Sequence, residues 1–282
     1  MVAILVLYTG GTIGMTAGPD GLTPAPGLVE EALEGLGLDA VELEVFAPLL
    51  DSADVGAKDW NRIIARVRSR AGPVVVVHGT DTMSFTGAAL SCALAGRDAP
   101  VILCGSMKPL GTGGDGEANL ALALKAATSA GPGVWLAFAG RLLAAAGLQK
   151  RASDVADAFI SVAQAALPPV TTAQFDARRL AIVTLSPGLP ADSVAAMLGA
   201  LDGAVLRVFG AGTMMDDPAL RKVLHDATRQ GKRLRAVSQC TTGGVAPAAY
   251  AAGAGLWAAG VENGGTETPE LALMRLWLDL PG

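Results

Sequence analysis

Val2-Ala3-Ile4-Leu5-Val6-Leu7-Tyr8 runs directly into Thr9-Gly10-Gly11-Thr12-Ile13-Gly14, and this junction decides how the rest of the chain is read. The first seven residues are short, continuous, apolar and rich in branched side chains, the pattern of a strand buried on both faces. Two adjacent glycines at its end allow a sharp turn and a close approach of backbone to a ligand. They also leave backbone N–H groups free to face an anion or an oxyanion. A nucleotide-phosphate loop is disfavoured, because neither G-x-G-x-x-G nor G-K-[ST] is present.

Moving outward, Val74–His78, Val101–Cys104 and Val134–Phe138 repeat the strand pattern. Between them Lys58–Arg70, Ser84–Ala95 and Glu117–Ser129 show the Ala/Leu spacing and polar faces of helices. Strands alternating with helices predict a parallel sheet covered on both sides. The segment Ala166-Leu-Pro-Pro-Val-Thr-Thr-Ala-Gln174 reads as part of a connector, after which a second, smaller pattern begins. Its expected strands are Leu180–Leu185, Ala204–Phe209 and Leu234–Ser238. Its expected helices are Ala191–Ala200, Pro218–Gln230, Pro247–Ala259 and Pro269–Leu278, three of which open with or just after a proline, as a first helical turn tolerates. The expected fold class is therefore α/β: a larger N-terminal parallel-sheet domain over residues 1–160, a linker over 161–178 and a smaller C-terminal α/β domain over 179–282.

Composition narrows the function classes. With 51% hydrophobic and 17% charged residues in 282, the chain can bury a large core and is not a disordered tail. Aromatics make up 4%, so that core must be aliphatic. The formal net charge of −5 comes without the basic stripe that nucleic-acid binding requires. Arg221, Lys222, Arg229, Lys232, Arg233 and Arg235 gather near one another, and read as one solvated helix face and its end. Cys92, Cys104 and Cys240, an odd number each in an apolar setting, suggest reduced, buried thiols and a reducing compartment. The first apolar run is too short for a membrane span or a signal segment, so a soluble, cytoplasmic protein is expected, with no membrane partner.

Ligands of open parallel sheets bind beyond the C-terminal ends of the strands. After Val74–Val77 comes His78-Gly79-Thr80-Asp81-Thr82-Met83, a hydroxyl and a carboxylate side by side where strand gives way to helix. By itself Thr80-Asp81 reads either as a helix N-cap or as a reactive pair. The second hydroxyl-bearing loop, at Thr12, favours the reactive reading. A nucleophilic threonine needs a base nearby. The two histidines are His78, which closes a buried strand, and His225, so a Ser-His-Asp arrangement is disfavoured. A lysine is the alternative base where burial lowers its proton affinity, and Lys150, past the Val134–Phe138 strand, is the candidate. No histidine pair has ligand spacing and the cysteines are far apart, so no metal is expected.

Together, Thr9-Gly10-Gly11-Thr12-Ile13-Gly14 and His78-Gly79-Thr80-Asp81-Thr82-Met83 resemble the two signatures of bacterial-type L-asparaginases. The similarity runs almost the whole length. Asp51-Ser52-Ala53-Asp54 resembles the substrate-clasping segment. Gly105-Ser106-Met107-Lys108-Pro109 and Asp115 through Leu120 resemble the stretch after the next strand. Lys150 to Phe159, with Asp154 and Asp157, resembles the catalytic-lysine segment. Ser238-Gln239-Cys240 with Gly243-Gly244-Val245 resembles the C-terminal domain of the cytoplasmic, type I branch.

The resemblance implies Thr12 as the nucleophile on a side-chain amide and Thr80, Lys150 and Asp81 as a second, activating triad. It implies Asp81 and Ser52 as holders of the substrate's α-amino and α-carboxylate groups, and backbone N–H groups near Thr80 and Gly11 as an oxyanion hole, with Gly79, Ala53 and Ser106 lining the substrate site. It also implies L-asparagine hydrolysis to L-aspartate and ammonia through an acyl-enzyme, no cofactor, and assembly as a homodimer or homotetramer. Three positions depart from the pattern: Leu22 stands where the family has a Tyr, Thr213 where relatives usually have Asn, and Ala53 where some have Gln. Residues 14–27 read as a lid, with Gly14, Gly18, Gly21 and Gly27 as flexible points and Thr16, Leu22 and Thr23 as its named residues; Thr23 is the candidate hydroxyl in place of the missing Tyr. The alternatives are hydrolysis of another amide, such as L-glutamine, a D-amino-acid amide or a modified asparagine, or a catalytically weakened amino-acid sensor.

Overall fold

The computed structural model describes residues 3–36, 41–170, 173–247 and 249–280. Val2 of the expected first strand, Thr171 and Thr172 of the connector and Ala248 of the expected third C-terminal helix lie outside the described residues. The chain forms two compact units, Met1–Gln174 and Phe175–Gly282.

In the first unit the elements are β1 (Ile4–Gly10), β2 (Met15–Gly18), β3 (Gly21–Pro24), α1 (Leu28–Gly35), β4 (Val41–Leu50), α2 (Ala57–Arg68), β5 (Val74–Val77), α3 (Met83–Ala93), β6 (Val101–Cys104), α4 (Gly116–Ser129), β7 (Val134–Phe138), β8 (Arg141–Ala144), β9 (Leu148–Lys150) and β10 (Phe159–Ser161). The main sheet runs β4-β1-β5-β6-β7-β8. All its pairs are parallel except β7 with β8. In register, Tyr8 lies beside Val77 and Val77 beside Cys104, so β1, β5 and β6 end level with one another.

Strand alternation sends Ile4, Val6, Tyr8, Val75, Val77, Ile102 and Cys104 to one face, where they pack with Val29 and Leu33 of α1 and Leu120, Ala123, Leu124 and Ala127 of α4. Leu7, Val76 and Leu103 share the other face. There Gly87 of α3 sits so close that a Cβ would lie 3.3 Å from Leu103 Cδ1 and 3.0 Å from the Ala145 carbonyl oxygen. Burying each such aliphatic side chain stabilises the unit by about 1.5–3 kcal/mol.

Strand β4 has no counterpart in the sequence reading. It is an edge strand, with one long side open to water, and so carries Val41-Glu42-Leu43-Glu44-Val45 instead of a continuous apolar run. Glu44 reaches Arg66 of α2 at 2.5 Å. Residues 15–24, read as part of an irregular lid, form the antiparallel β2–β3 hairpin, with Thr16 opposite Thr23 and Ala17 opposite Leu22. Gly14 is a packing glycine rather than a flexible point, because a Cβ there would lie 1.8 Å from the Tyr8 hydroxyl oxygen.

In the second unit β11 (Leu180–Thr184), α5 (Ala191–Ala200), β12 (Gly203–Val208), α6 (Pro218–Arg229), β13 (Arg233–Ser238), α7 (Ala254–Ala258), β14 (Glu262–Asn263) and α8 (Pro269–Trp277) follow one another. The sheet is β11-β12-β13-β14, wholly parallel. Leu206, Val208, Leu220, Leu224, Leu234 and Leu256 belong to one core. Helix α6 starts where Asp217 accepts a hydrogen bond from the Ala219 N–H at 2.8 Å, one residue before Pro218.

Three expectations need correction in this unit. The helix over 247–259 shrinks to a short 3-10 turn and α7. Tyr250 is extended, and Gly253 presses so tightly on residue 212 that a Cβ would lie 2.3 Å from the Gly212 carbonyl oxygen. The basic cluster is not one solvated face. Lys222 is solvated, but Arg235 is fully buried and pairs with Glu262 at 2.7 Å and Glu267 at 3.3 Å. Lys232 donates to the Leu201 carbonyl at 2.7 Å. The thiols also divide: Cys92 and Cys104 are buried, whereas Cys240 is exposed.

Candidate active site

The site is built where β1, β5 and β6 end. At Gly10 and Gly11 φ is +135° and +101°, values that L side chains rarely adopt. Space enforces the same choice. A Cβ on Gly11 would lie 2.5 Å from the Gly79 Cα, and one on Gly79 would lie 2.6 Å from Ser52 Oγ. The glycines that precede Thr12 and Thr80 are thus in direct backbone contact, with Ser52 against the second of them.

Thr12 opens a 3-10 turn, Thr12–Gly14, and is half-buried. The turn is held from below, where buried Ile13 anchors it, and from the side, where the Leu110 N–H donates to the Ile13 carbonyl at 3.0 Å. Tyr8, whose ring fills the space beside Gly14, has its proton affinity pushed up to about 12 by burial and by Glu30.

Thr80 is buried and receives a hydrogen bond from Lys150 Nζ at 2.9 Å. The same Nζ reaches Asp81 Oδ1 at 2.6 Å. The Lys150 side chain is 17% exposed and that of Asp81 68%, so the amine is sheltered while the carboxylate faces outward. The helix-cap alternative for Thr80-Asp81 does not hold: α3 begins after Thr82, and no side chain caps it. Thr82 Oγ1 instead donates to the Ser52 carbonyl at 2.5 Å, tying the second loop to the Ser52 segment.

Lys150 is placed by a hairpin. It pairs with Phe159 of β10, and the Arg151 N–H donates to the Ala158 carbonyl at 2.8 Å. Phe159 packs edge-on to Phe138, with ring centroids 4.9 Å apart, which joins the hairpin to the end of β7. Asp157 pairs with Arg141 and with Arg151.

The remaining expected residues divide. Ser52 is buried in its own 3-10 turn, while Ala53 is exposed, its N–H held by Asp51 at 2.9 Å. Ser106 is buried and its hydroxyl donates to the Lys108 carbonyl. Thr16, Leu22 and Thr23 are exposed on the β2–β3 hairpin. Among the described residues no hydrogen bond joins their side chains to Thr80, Asp81 or Lys150. Also among the described residues, no group of three or more His, Cys, Asp or Glu could hold a metal ion, and no helix is long and apolar enough to cross a membrane.

Two groups of residues take hydrogen-bonding roles that the sequence reading did not assign. Asp115 and buried Asn119 organise the loop after β6. The Asp115 carboxylate accepts from the Met107 N–H at 2.9 Å and the Lys108 N–H at 3.0 Å. Asn119 donates to the Gly105 carbonyl at 3.0 Å and accepts from the Ala139 N–H at 3.0 Å. Their i, i+4 spacing at the start of α4 was the available signal. The second group surrounds His78. Its ring is fully buried, contacts the Gly79 carbonyl through Nδ1 at 2.6 Å and meets Thr86 Oγ1 through Nε2 at 3.0 Å. Burial lowers its proton affinity.

Known proteins resemble this chain in sequence and fold. Residues 3–181 match the family described as Asparaginase, N-terminal, and residues 179–280 match the Glutaminase/Asparaginase C-terminal domain. L-asparaginase 1 of Escherichia coli K12 is 32% identical over 308 residues, spanning 97% of this chain and 90% of that protein. The thermostable L-asparaginase from Thermococcus kodakarensis superposes with a TM-score of 0.85 at 28% identity, covering 98% of this chain and 92% of that one. L-asparaginase I from Vibrio cholerae superposes with a TM-score of 0.83 at 27% identity, with the same coverage. Matched by family over both of its units, the chain belongs to the asparaginase family and is an amidohydrolase of that type.

Proposed function

We propose that the protein hydrolyses the side-chain amide of L-asparagine to L-aspartate and ammonia, with Thr12 as nucleophile. The observation that carries this reading is the Thr80–Lys150–Asp81 chain standing beside the Gly11–Gly79 backbone contact. Thr12 Oγ attacks the amide carbon and its proton passes to the leaving nitrogen; the C–N bond breaks, and ammonia departs from an acyl-enzyme. Water then adds to the ester and releases aspartate, restoring the Thr12 hydroxyl. The Thr80–Lys150–Asp81 triad, joined at 2.9 Å and 2.6 Å, activates the attacking hydroxyl, and then the attacking water, by taking up its proton and passing it on to the leaving group. N–H groups around Thr80 and Gly11 face the developing oxyanion, where loss of one donor costs on the order of 10²–10³ in rate.

Ser52 and Asp81 hold the α-carboxylate and α-amino groups, Gly79, Ala53 and Ser106 line the substrate site, and the β2–β3 hairpin acts as a lid through Thr16, Leu22 and Thr23. The reaction needs no cofactor. The working form is a homodimer or homotetramer in the cytoplasm; an odd cysteine count and the exposed Cys240 thiol suit a reducing compartment. Ammonia release from L-asparagine, L-glutamine and a panel of other amides tests the reading, with Thr12→Ala and Thr80→Ala expected to abolish nearly all turnover in folded protein. Substantial activity in either variant removes the nucleophile assignment. Another amide ranking far above L-asparagine removes the substrate assignment.

A further inference from the structure

His78, which that reaction does not use as a base, lies one residue from the Gly79–Thr80 peptide. Three buried side chains form a directed chain ending there. Trp60 Nε1–H donates to Thr86 Oγ1 at 3.1 Å, Thr86 Oγ1 meets His78 Nε2 at 3.0 Å, and His78 Nδ1 meets the Gly79 carbonyl at 2.6 Å. Their relative exposures are 4%, 0% and 1%, so no water completes the set from outside. The directions are fixed by chemistry. A carbonyl oxygen only accepts, so Nδ1 carries the proton; in a neutral ring Nε2 then accepts, and the Thr86 hydroxyl must donate to it. Burial favours the neutral ring, outweighing the opposing influences of the Gly79 hydrogen bond and of Asp59.

In a planar trans peptide the C=O of one residue and the N–H of the next point in opposite directions. Holding the Gly79 carbonyl toward the His78 ring therefore turns the Thr80 N–H the other way. Gly79 has no side chain to restrain this peptide, and glycine is the residue whose backbone turns most readily. Its neighbours cannot supply a Cβ in its place, because Ser52 and Gly11 already occupy that space. The His78 backbone is itself fixed, its N–H donating to the Cys104 carbonyl at 2.8 Å. The ring is thus a fixed arm reaching forward onto the Gly79–Thr80 peptide.

We propose that His78 is a positioning residue whose Nδ1–H, with its tautomer set by Thr86, locks the Gly79–Thr80 peptide so that the Thr80 N–H faces the reacting carbonyl. The proposal rests on the amide-hydrolase reading, and its tests separate the two.

Nitrogen-15 NMR of histidine-labelled protein reads the tautomer without any substrate. His78 and His225 are the two histidines, and a His225→Gln variant assigns the signals. A single Nδ1–H tautomer is expected; an Nε2–H or averaged ring overturns the proposal. In the kinetic arm Thr86→Val keeps the shape and loses the donor, whereas Thr86→Ser keeps the donor. Thr86→Val should lower kcat about tenfold with KM within about twofold, and Thr86→Ser should stay within about twofold of wild type. Full activity in Thr86→Val, or an equal loss in both variants, overturns the proposal. If the wild-type protein releases ammonia from no amide, the hydrolase reading fails, while the tautomer still decides the hydrogen-bond chain. The same measurement decides it if Thr86→Val does not fold.

Discussion

Lys150–Asp81 in the first unit and Arg235–Glu267 in the second are both charged pairs on strand-ended scaffolds, yet they are finished differently. Arg235 is fully enclosed and also meets Glu262 and the Leu280 carbonyl, while Glu267 is shared with Arg275 at 2.7 Å. Each charge there is consumed by its neighbours. Lys150 is sheltered and touches a threonine hydroxyl, and its carboxylate partner stands mostly in water. The Arg235 arrangement leaves nothing to bind a further molecule and serves to hold strands β13 and β14 to the chain end. The Lys150 arrangement keeps a hydroxyl, an amine and an exposed carboxylate with valences to spare, which is what a reacting substrate requires.

The contrast can be broken from either side. Lys150→Met should lower ammonia release by about 10³-fold or more, because members of a proton-transfer unit fail together. Its unfolding free energy should move by less than about 1 kcal/mol, since the pair it breaks is largely exposed on the Asp81 side. Steady-state kinetics with urea unfolding reads both. A comparable loss in stability would make Lys150 a structural residue like Arg235.

Arg235→Met should instead cost about 3–5 kcal/mol of stability by leaving Glu262 and Glu267 without their buried partner. Urea or thermal unfolding measures it; a change below about 1 kcal/mol would mean that water or Arg275 completes the cluster.

The smallest effect is chemical reactivity. Cys104, pushed up to about 12 by burial and by Asp115, should stay unmodified by a thiol reagent near neutral pH, as should buried Cys92, while exposed Cys240 reacts. One equivalent labelled in native protein and all 3 cysteines after unfolding is the expected count.

How far these features were legible follows from how much of each was local. Strands β1, β5, β6 and β7 are buried on both faces and so announce themselves as unbroken apolar runs. Edge strand β4 and the short pairs β9–β10 and β2–β3 do not, because half of their surface faces solvent or another loop. Thr12 and Thr80 stood out because glycine-rich turns at strand ends are local patterns. The hydrogen-bonding roles of Asp115 and Asn119 and the Trp60–Thr86–His78 chain did not, because their partners lie on other elements. The reading of Arg235 failed for the same reason: its burial depends on Glu262 and Glu267, which arrive from later in the chain.

The sequence by itself determined the α/β class, the order of buried strands and the two hydroxyl-bearing turns, since periodicity and glycine spacing act over a few residues; the family was indicated by the resemblance of those two turns to its signatures. Only the tertiary structure decided that Lys150 reaches Thr80 across 70 positions, that Gly11 and Gly79 touch, and which arginines are enclosed. Those outcomes depend on which strands become neighbours in the sheet and on how much water their packing leaves behind.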